Sequence, residues 1–400
     1  MDDALLIAMV GLPARGKTYI ARRLSRYLSW RGHPTRIFNV GSYRRELVQG
    51  HQTQAWFSPD NVEARVIRLN LAMRALDDAF EYLRGDGSVA IYDATNTTRR
   101  RRDLVLQRCG EEGVPVLFLE VVCDDEAVVD DNILATKLEA PDYAGMERDA
   151  AARDFRARIE HYTRVYETIG DDDSSYVKLI DNGRKTVVNR VHGRVSERAL
   201  RFLMVLSRVQ KPVWLTRHGR SEYNDLDLLG GDPNLTDTGR GYARALAQHV
   251  KAHAPEGLQV WTSTLRRTIQ TAEPLGYETF QFRRLDEIHA GICEGKSYAQ
   301  VEAEMPEEYA ARKRDKFRYR YPRGESYEEL IERMDDVVLE LEREHRPTLI
   351  IGHQAVLRVL YAYLMGTERE ACPHLDIPLH TLLELSADLY ELRESRVALG

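Results

Sequence analysis

The sequence is poor in cysteine and contains no long apolar run, and each absence excludes a class of protein. Its four cysteines, Cys109, Cys123, Cys293 and Cys372, form no CxxC pair and show no spacing to histidine that would indicate zinc. No apolar stretch approaches the roughly 18 residues that a membrane span needs. We therefore expect a cytoplasmic protein that keeps its thiols reduced and has no membrane partner.

A strong excess of positive charge is also missing. Lysine and arginine total 57 against 63 aspartates and glutamates, so the net charge of -6 argues against a general nucleic-acid binder. Local basic pockets for small anions remain compatible with this balance. With 400 residues, 43% of them hydrophobic, the chain is long enough for more than one globular domain.

Short apolar runs alternate with amphipathic stretches along the chain, and the pattern starts twice. LLIAMV, VAIYD and VLFLEVVC read as buried strands separated by helices, which predicts a mainly parallel α/β sheet. The pattern breaks near Pro212 and restarts with PVWLTRHG, followed much later by PTLIIGH. This organisation predicts two α/β domains, residues 1–209 and 210–400.

The first strand runs directly into a glycine-rich loop that precedes a helix. The loop fits the pattern GxxxxGK[ST] with Gly11, Leu12, Pro13, Ala14, Arg15, Gly16, Lys17 and Thr18. Its backbone N–H groups and the helix N-terminus are suited to hold the phosphates of ATP. We expect Lys17 to reach the outer phosphates and Thr18 to bind Mg²⁺.

Asp93 ends the strand VAIYD and should emerge beside this loop, at the carboxyl edge of the sheet. A carboxylate there can hold Mg²⁺ or orient the acceptor hydroxyl of a kinase substrate. The alternative is that Asp93 only caps the next helix. That helix begins with four arginines, Arg99 to Arg102, which we expect to be mostly a solvated face, with one or two of them directed at a phosphate.

A kinase with a phosphorylated acceptor must hold a second anion. Basic residues of the first domain are the candidates, namely Arg44, Arg68, Arg101, Lys137 and Arg158. Spacing alone does not separate them from ordinary surface charge.

The second domain carries two histidines at strand ends. Arg217, His218 and Gly219 follow the strand PVWLT, and His353 follows PTLIIG. Histidines at the carboxyl ends of two strands can meet over one crevice, where a neutral imidazole attacks phosphorus.

The flanking residues fit such a reaction. Arg217 and Arg267 would stabilise the transferred phosphoryl group, and Glu287 in LDEIHAG would donate a proton to the leaving oxygen and later accept one from water. His289 we take as structural.

Long strings in both halves resemble the 6-phosphofructo-2-kinase/fructose-2,6-bisphosphatase family, from about residue 4 to about residue 390. The strings are VGLPARGKTYIARRL, FNVGSYRREL, YDATNTTRRRR, TKLEAPDY, TRHGRSEYN, GGDPNLT, RRTIQTAEPL, FRYRYPRGESYEEL, HQAVLR and PLHTLLEL. The resemblance implies a P-loop kinase domain followed by a histidine phosphatase domain of the phosphoglycerate-mutase type. It also implies ATP-dependent formation of fructose 2,6-bisphosphate from fructose 6-phosphate, its hydrolysis through a phosphohistidine, a role in glycolytic regulation, and a homodimer.

In the kinase half, the resemblance assigns residues that spacing could not. The implied sugar-phosphate ligands are Arg44, Arg68, Thr95, Arg101, Lys137, Arg158 and Tyr162. Asp93 and Cys123 match active-site positions. Tyr19, Asn132 and Lys137 extend the implied nucleotide site beyond the loop.

In the phosphatase half, the resemblance implies that His218 is the nucleophile and Glu287 the acid. The implied phosphate ligands are Arg217, Asn224, Arg267 and His353. The implied substrate contacts are Gly230, Tyr298, Arg312, Lys316, Tyr327, Gln354 and Arg358, and no metal is expected in this half.

Three positions depart from the family pattern. Arg220 replaces the usual acid of RHGE, Leu228 replaces an arginine, and His289 stands where aspartate is common. These departures leave open a net kinase with a weak or silent phosphatase domain. A non-catalytic sensor of ATP and sugar phosphate is a further alternative. A kinase acting on polynucleotide ends is disfavoured by the net acidity.

Overall fold

The computed structural model describes residues 4–48, 52–134, 141–143, 145–170, 175–181, 183–207, 211–388 and 391–399. Internal packing divides the chain into two compact units, Met1–Leu206 and Ser207–Gly400. Each unit has its own sheet and its own buried core.

The first unit consists of a sheet covered by helices. Its described strands are Leu5–Val10 (β1), Thr35–Asn39 (β2), Val89–Asp93 (β3), Val116–Val122 (β4), Tyr176–Ile180 (β5) and Lys185–Asn189 (β6). Its described α-helices are Lys17–Trp30 (α1), Val40–Leu47 (α2), Val62–Arg84 (α3), Arg99–Glu112 (α4), Glu126–Asn132 (α5), Arg148–Thr163 (α6) and Arg194–Val205 (α7).

The strands of this sheet lie in the order β2-β3-β1-β4-β5-β6. They are parallel except for β6, which pairs antiparallel with β5. Every residue of β1 and β3 is buried, as expected for central strands with helices on both faces. The prediction of a mainly parallel sheet is confirmed. Because β1 and β3 are neighbours, the phosphate loop after β1 and Asp93 at the end of β3 meet at the same edge.

The second unit repeats this design with different connections. Its described strands are Val213–Arg217 (β7), Gln259–Thr262 (β8), Thr279–Gln281 (β9), Thr348–Gly352 (β10), Thr381–Asp388 (β11) and Glu391–Ala398 (β12). Its described α-helices are Glu222–Asp225 (α8), Asp237–His253 (α9), Arg266–Ala272 (α10), Tyr298–Glu304 (α11), Pro306–Arg314 (α12), Tyr327–Arg343 (α13) and Gln354–Met365 (α14).

Here the strand order is β12-β11-β7-β10-β8-β9. The strands β7, β10, β8 and β9 are parallel, and the hairpin β11–β12 is added antiparallel to β7. Arg217 and Gly352 are direct register partners on β7 and β10. The residues that follow them, His218 and His353, therefore emerge side by side.

None of the helices in the described ranges combines the length and the apolar character that a bilayer crossing requires. The four cysteines are all free thiols and all buried.

Candidate active sites

The phosphate loop of the first unit is tightly curled between β1 and α1. Gly11 has φ +134°, and a Cβ at this position would lie 2.4 Å from the carbonyl oxygen of Val121, so only glycine fits. Gly16 precedes α1 with φ +83°, and Lys17 Nζ donates a hydrogen bond of 2.6 Å to the carbonyl of Leu12. The lysine side chain thus folds back over the loop, where the phosphates of a nucleotide would lie.

Asp93 lies directly beside this loop. The hydroxyl of Thr18 donates a hydrogen bond of 2.8 Å to Asp93 Oδ2, and Asp93 is only 4% exposed. The alternative role as a helix cap is wrong, because the side chain of Thr98 caps α4 by accepting from the N–H of Arg101. A hydroxyl and a carboxylate in contact are oxygen donors of the kind that Mg²⁺ prefers, so these residues fit that ion.

An arginine cluster surrounds the ring of Phe57. The guanidinium carbons of Arg158 and Arg44 lie 3.6 Å and 5.4 Å from the ring centre. The carboxylate of Asp142 is hydrogen-bonded to Arg44 and lies 3.9 Å from Arg158. Burial, followed by repulsion from Arg158, lowers the pKa of Arg44, although Asp142 partly offsets both effects. Two cations held this close to each other can bind an anion, although Asp142 already compensates part of their charge.

Four further residues that the resemblance assigns to the sugar-phosphate site contact other residues of the first unit. Arg68 donates to the carbonyl of Trp56, and the Tyr162 ring lies 6.3 Å from the Phe57 ring. Arg101 donates to the Tyr92 hydroxyl at 2.8 Å, while the carbonyl of Thr95 accepts from the N–H of Gly11 at 2.9 Å.

Two further residues that the resemblance assigns to the kinase site, Asn132 and Cys123, lie by the phosphate loop. Asn132 Nδ2 donates to the carbonyl of Ala14 at 3.0 Å. Cys123 is buried just after β4 and contributes to the electrostatic environment of Arg15. Lys137 lies outside the described residues.

His218 and His353 meet in the second unit, with ring centres 5.2 Å apart. Burial, reinforced by the charges of Arg267 and Arg217, holds the pKa of His218 well below its usual value, so this imidazole is neutral. His218 Nδ1 lies 2.7 Å from the carbonyl of Gly219. A carbonyl only accepts, so Nδ1 carries the proton and Nε2 keeps a free electron pair.

His353 is fully buried next to His218. Its Nε2 lies 2.8 Å from the hydroxyl of Ser263, while Nδ1 has no hydrogen-bond partner in the described part of the chain. Burial, followed by the charge of Arg267, lowers the pKa of His353 as well. A buried ring nitrogen without a protein partner is available to a ligand.

Arg217 and Arg267 face the two imidazoles. Burial lowers the pKa of Arg217 to about 10, against the opposing effect of Glu287. Arg267 is held in place by a hydrogen bond of 2.8 Å to the carbonyl of Gly231. Nε of Arg217 also has no partner among the described residues, so this cation, too, is available to an anion.

The carboxyl group of Glu287 contacts the N-terminus of α14. One oxygen, Oε1, accepts from the N–H groups of Ile288 and Ala355 at 2.9 Å and 3.2 Å. These bonds orient the carboxyl group and leave Oε2 for a substrate.

Arg217, His218, Arg267 and Glu287 line a cavity of about 390 Å³, whereas the buried His353 is not among the described residues that form its wall. Its walls contain Arg217, His218, Asn224, Gly230, Arg267, Glu287, Tyr298, Arg312, Lys316, Tyr327, Gln354 and Arg358, which are all predicted from the sequence. Burial lowers the pKa of Lys316 to about 8, with Arg358 and Arg312 adding repulsion. A concave site with so many cations is suited to a small molecule with more than one negative group.

Each unit matches one known family. The family model described as 6-phosphofructo-2-kinase matches residues 1–210, and that of the histidine phosphatase superfamily, branch 1, matches residues 213–398.

The chain belongs to the 6-phosphofructo-2-kinase/fructose-2,6-bisphosphatase family.

Relatives with this name match over nearly the whole chain. The enzyme from Aquarana catesbeiana is 45% identical over 403 residues, which cover 100% of this chain and 86% of that protein. The Gallus gallus enzyme is 46% identical and covers 96% of this chain and 83% of its own length. Form 1 of the Homo sapiens enzyme is 44% identical, with 100% and 85% covered.

Of the three departures from the 6-phosphofructo-2-kinase/fructose-2,6-bisphosphatase pattern, one lines the cavity and two do not. Arg220 points away and pairs with Asp225, and both side chains are about half exposed, at 47% and 48%. Leu228 lines the cavity and forms a β-bridge with Ser297. His289 is exposed, and its N–H donates to Glu325 at 3.0 Å, which agrees with a structural role.

Several residues that support the two sites were not predicted from the sequence. Arg333 binds both oxygens of Glu325 and donates to the carbonyls of Arg284, Asp286 and Glu287, so it holds the segment that carries Glu287.

Glu294 is a second residue that supports the phosphatase site and was not predicted. It accepts from the N–H groups of Gly231 and Ala290, and a Cβ on Gly230 would lie 1.6 Å from its carboxylate. Gly230, with φ +65°, is therefore needed for close contact with Glu294.

In the kinase unit, the arginine run contains one buried member. Arg99 and Arg100 are exposed as expected, but Arg102 is 2% exposed and donates to the carbonyl of Glu167 at 2.8 Å. The sequence shows only four consecutive arginines, and this pattern does not indicate which of them is buried.

Proposed function

We propose that the two domains catalyse opposite reactions on one sugar, at the residues described above. The first would transfer the γ-phosphoryl group of ATP to the 2-hydroxyl of fructose 6-phosphate. The second would hydrolyse fructose 2,6-bisphosphate back to fructose 6-phosphate. The chain contains both domains, and its curated relatives carry the name of the bifunctional enzyme.

In the kinase, the phosphate loop binds the nucleotide, and Lys17 turns from Leu12 to the outer phosphates. The cluster of Arg44 and Arg158 holds the 6-phosphate of the sugar, with Arg68, Thr95, Arg101, Lys137 and Tyr162 as further sugar contacts. Catalysis then rests on positioning and charge, since phosphoryl transfer needs little covalent chemistry from the protein.

Thr18 and Asp93 would hold Mg²⁺, which would neutralise charge on the transferred phosphate. This assignment is supported by their mutual hydrogen bond of 2.8 Å at the edge of the phosphate loop. We also assign to Asp93 a hydrogen bond from the acceptor hydroxyl, which would orient that group for attack.

In the phosphatase, Nε2 of His218 attacks the 2-phosphoryl group, and the bond from phosphorus to the sugar oxygen breaks. Arg217, Asn224, Arg267 and His353 stabilise the equatorial oxygens, while Glu287 donates a proton to the leaving oxygen. Water then attacks the phosphohistidine, Glu287 accepts its proton, and inorganic phosphate leaves with His218 restored.

One observation carries the phosphatase proposal: His218 lines a cavity together with two buried arginines, and the contact of its Nδ1 with the Gly219 carbonyl leaves Nε2 for the phosphoryl group. The test uses fructose 2,6-bisphosphate labelled with ³²P at the 2-phosphate and rapid acid-free quenching. We expect label on the protein in wild type and none in His218→Ala. Label retained by the variant would refute this nucleophile.

Three broader properties belong to the same proposal. We place the boundary between the domains at residues 209 and 210. The enzyme is a homodimer, as the resemblance to the family implies. It acts in the cytoplasm, which is supported by four buried, unpaired cysteines.

The pKa of Lys316 leads to a prediction for the pH dependence of the phosphatase. Because burial lowers this pKa to about 8, Lys316 is charged below that pH and loses its charge as the pH rises through it. We expect kcat/KM for the bisphosphate to fall above pH 8. Lys316→Arg keeps the charge and should remove this limb of the pH profile. An unchanged limb in the variant would contradict the assignment.

Arg220 gives a prediction about the alternative of a silent phosphatase. Its ion pair with Asp225 is exposed and Arg220 does not line the cavity. Restoring the family residue with Arg220→Glu should therefore change phosphatase kcat/KM by less than about threefold, since exposed ion pairs contribute little. Arg220→Gln serves as a neutral control. A large gain of phosphatase activity in Arg220→Glu would favour the net kinase.

A further inference from the structure

Asn39 connects two parts of the kinase site. It is the last residue of β2, directly precedes α2, and is the register partner of Asp93 on β3. A single side chain therefore lies next to the carboxylate at the phosphate loop and at the start of the helix that carries Arg44.

Both ends of the Asn39 amide are used. Its Oδ1 accepts from the N–H of Ser42 at 3.0 Å and so caps α2, while its Nδ2 donates to Asp93 Oδ2. The partners fix the orientation of the amide, because a backbone N–H only donates and a carboxylate only accepts. The amide cannot be reversed without losing both bonds.

Asp93 is consequently held from two sides. The hydrogen bonds that described residues make to its carboxylate, from Asn39 and from Thr18, both go to Oδ2. With one oxygen fixed by two donors, the carboxylate has a defined rotation, and Oδ1 is left for a ligand. Because Asp93 is only 4% exposed, water cannot easily replace the hydrogen bond from Asn39.

We propose that Asn39 is a positioning residue for phosphoryl transfer. Its side chain fixes the position of the Asp93 carboxylate relative to α2, the helix that carries Arg44. The inference rests on the proposed kinase function, since it gives Asp93 a role towards Mg²⁺ or the acceptor hydroxyl. It adds a residue that touches neither ATP nor the sugar in the proposed assignment.

The test compares Asn39→Ser with wild type. Serine still offers an oxygen to cap α2, but its shorter side chain does not reach Asp93. We expect kinase kcat to fall by about 10- to 100-fold, as the loss of a hydrogen bond to a charged group predicts. The KM for Mg-ATP should rise by no more than several-fold, because the phosphate loop is unchanged and only the contribution of the ion to nucleotide binding is weakened. Binding of ADP without Mg²⁺ reports that the kinase unit of the variant is folded, because the phosphate loop belongs to that unit.

A binding measurement gives a second readout that does not depend on turnover. Calorimetric titration with ADP, without and with Mg²⁺, should give equal affinities for wild type and Asn39→Ser without the ion. The gain in affinity on adding Mg²⁺ should be several-fold smaller in the variant, because Asp93 is no longer held.

Asn61→Ser is the matched control. Asn61 caps α3 of the same unit by accepting from the N–H of Ala64 at 2.9 Å, and it makes no bond to Asp93. We expect this variant to behave as wild type in both assays.

Two results would overturn the role of Asn39: a wild-type kcat in Asn39→Ser, or equal losses in Asn39→Ser and Asn61→Ser. If wild type itself made no bisphosphate, the proposed function would fail instead. The ADP titrations would then still decide whether Asn39 holds Asp93.

Discussion

His218→Ala should abolish hydrolysis of fructose 2,6-bisphosphate and spare its synthesis. The imidazole Nε2 is the only group that we assign to attack phosphorus, so we expect phosphatase kcat to fall by about 10⁴-fold or more. The kinase rate should remain within about twofold of wild type, because the phosphate loop belongs to the other unit. Both rates are measured on one preparation, with labelled bisphosphate for hydrolysis and ADP release for synthesis.

His253→Ala is the matched control for this experiment. His253 lies at the exposed end of α9 and has no part in the cavity. This variant should retain both activities. Hydrolysis by His218→Ala at more than about one hundredth of the wild-type rate would mean that another group or water attacks directly.

Lys17→Met should have the opposite effect. The lysine ammonium is the charge that the phosphate loop brings to the outer phosphates, and methionine keeps much of the length of the side chain without that charge. We expect kinase kcat/KM to fall by about 10³-fold or more, with phosphatase activity within about twofold of wild type.

Lys185→Met, on the exposed side of β6, is the control for loss of a lysine in the same unit. It should leave synthesis unchanged. If Lys17→Met also lost hydrolysis while it stayed folded, the two activities would not be independent, and the assignment of one site to each unit would be wrong.

The sequence alone was sufficient where the functional groups are contiguous or lie at strand ends. Residues Gly11 to Thr18 form one loop, so their pattern predicts their geometry directly. Asp93, His218 and His353 each follow an apolar strand, and parallel strands present their ends at one edge. The structure brings each of them to the edge expected from this rule.

The supporting residues could not be predicted in this way because their contacts are distant in the sequence. Asn39 binds Asp93 across 54 positions, and Arg333 holds the backbone of Glu287 across 46 positions. The charge pattern likewise does not show that Asp142 lies between Arg44 and Arg158, because the three residues belong to separate segments that only the fold brings together.

Such contacts explain why resemblance to the family assigned more ligands than spacing did. Arg44 and Arg158 are unremarkable basic residues in the sequence, and only the fold brings them to the ring of Phe57. In the phosphatase, Arg312 and Lys316 are part of a long basic segment, and the cavity alone distinguishes them from exposed neighbours such as Arg314.

The central claim is that one chain makes and destroys fructose 2,6-bisphosphate at two independent sites. The most direct test is a ³¹P NMR time course of the purified wild-type protein with Mg-ATP and fructose 6-phosphate. We predict that the bisphosphate reaches a plateau, after which ADP and inorganic phosphate increase at equal rates. Bisphosphate that accumulates without release of phosphate, or the absence of ADP, would contradict the claim.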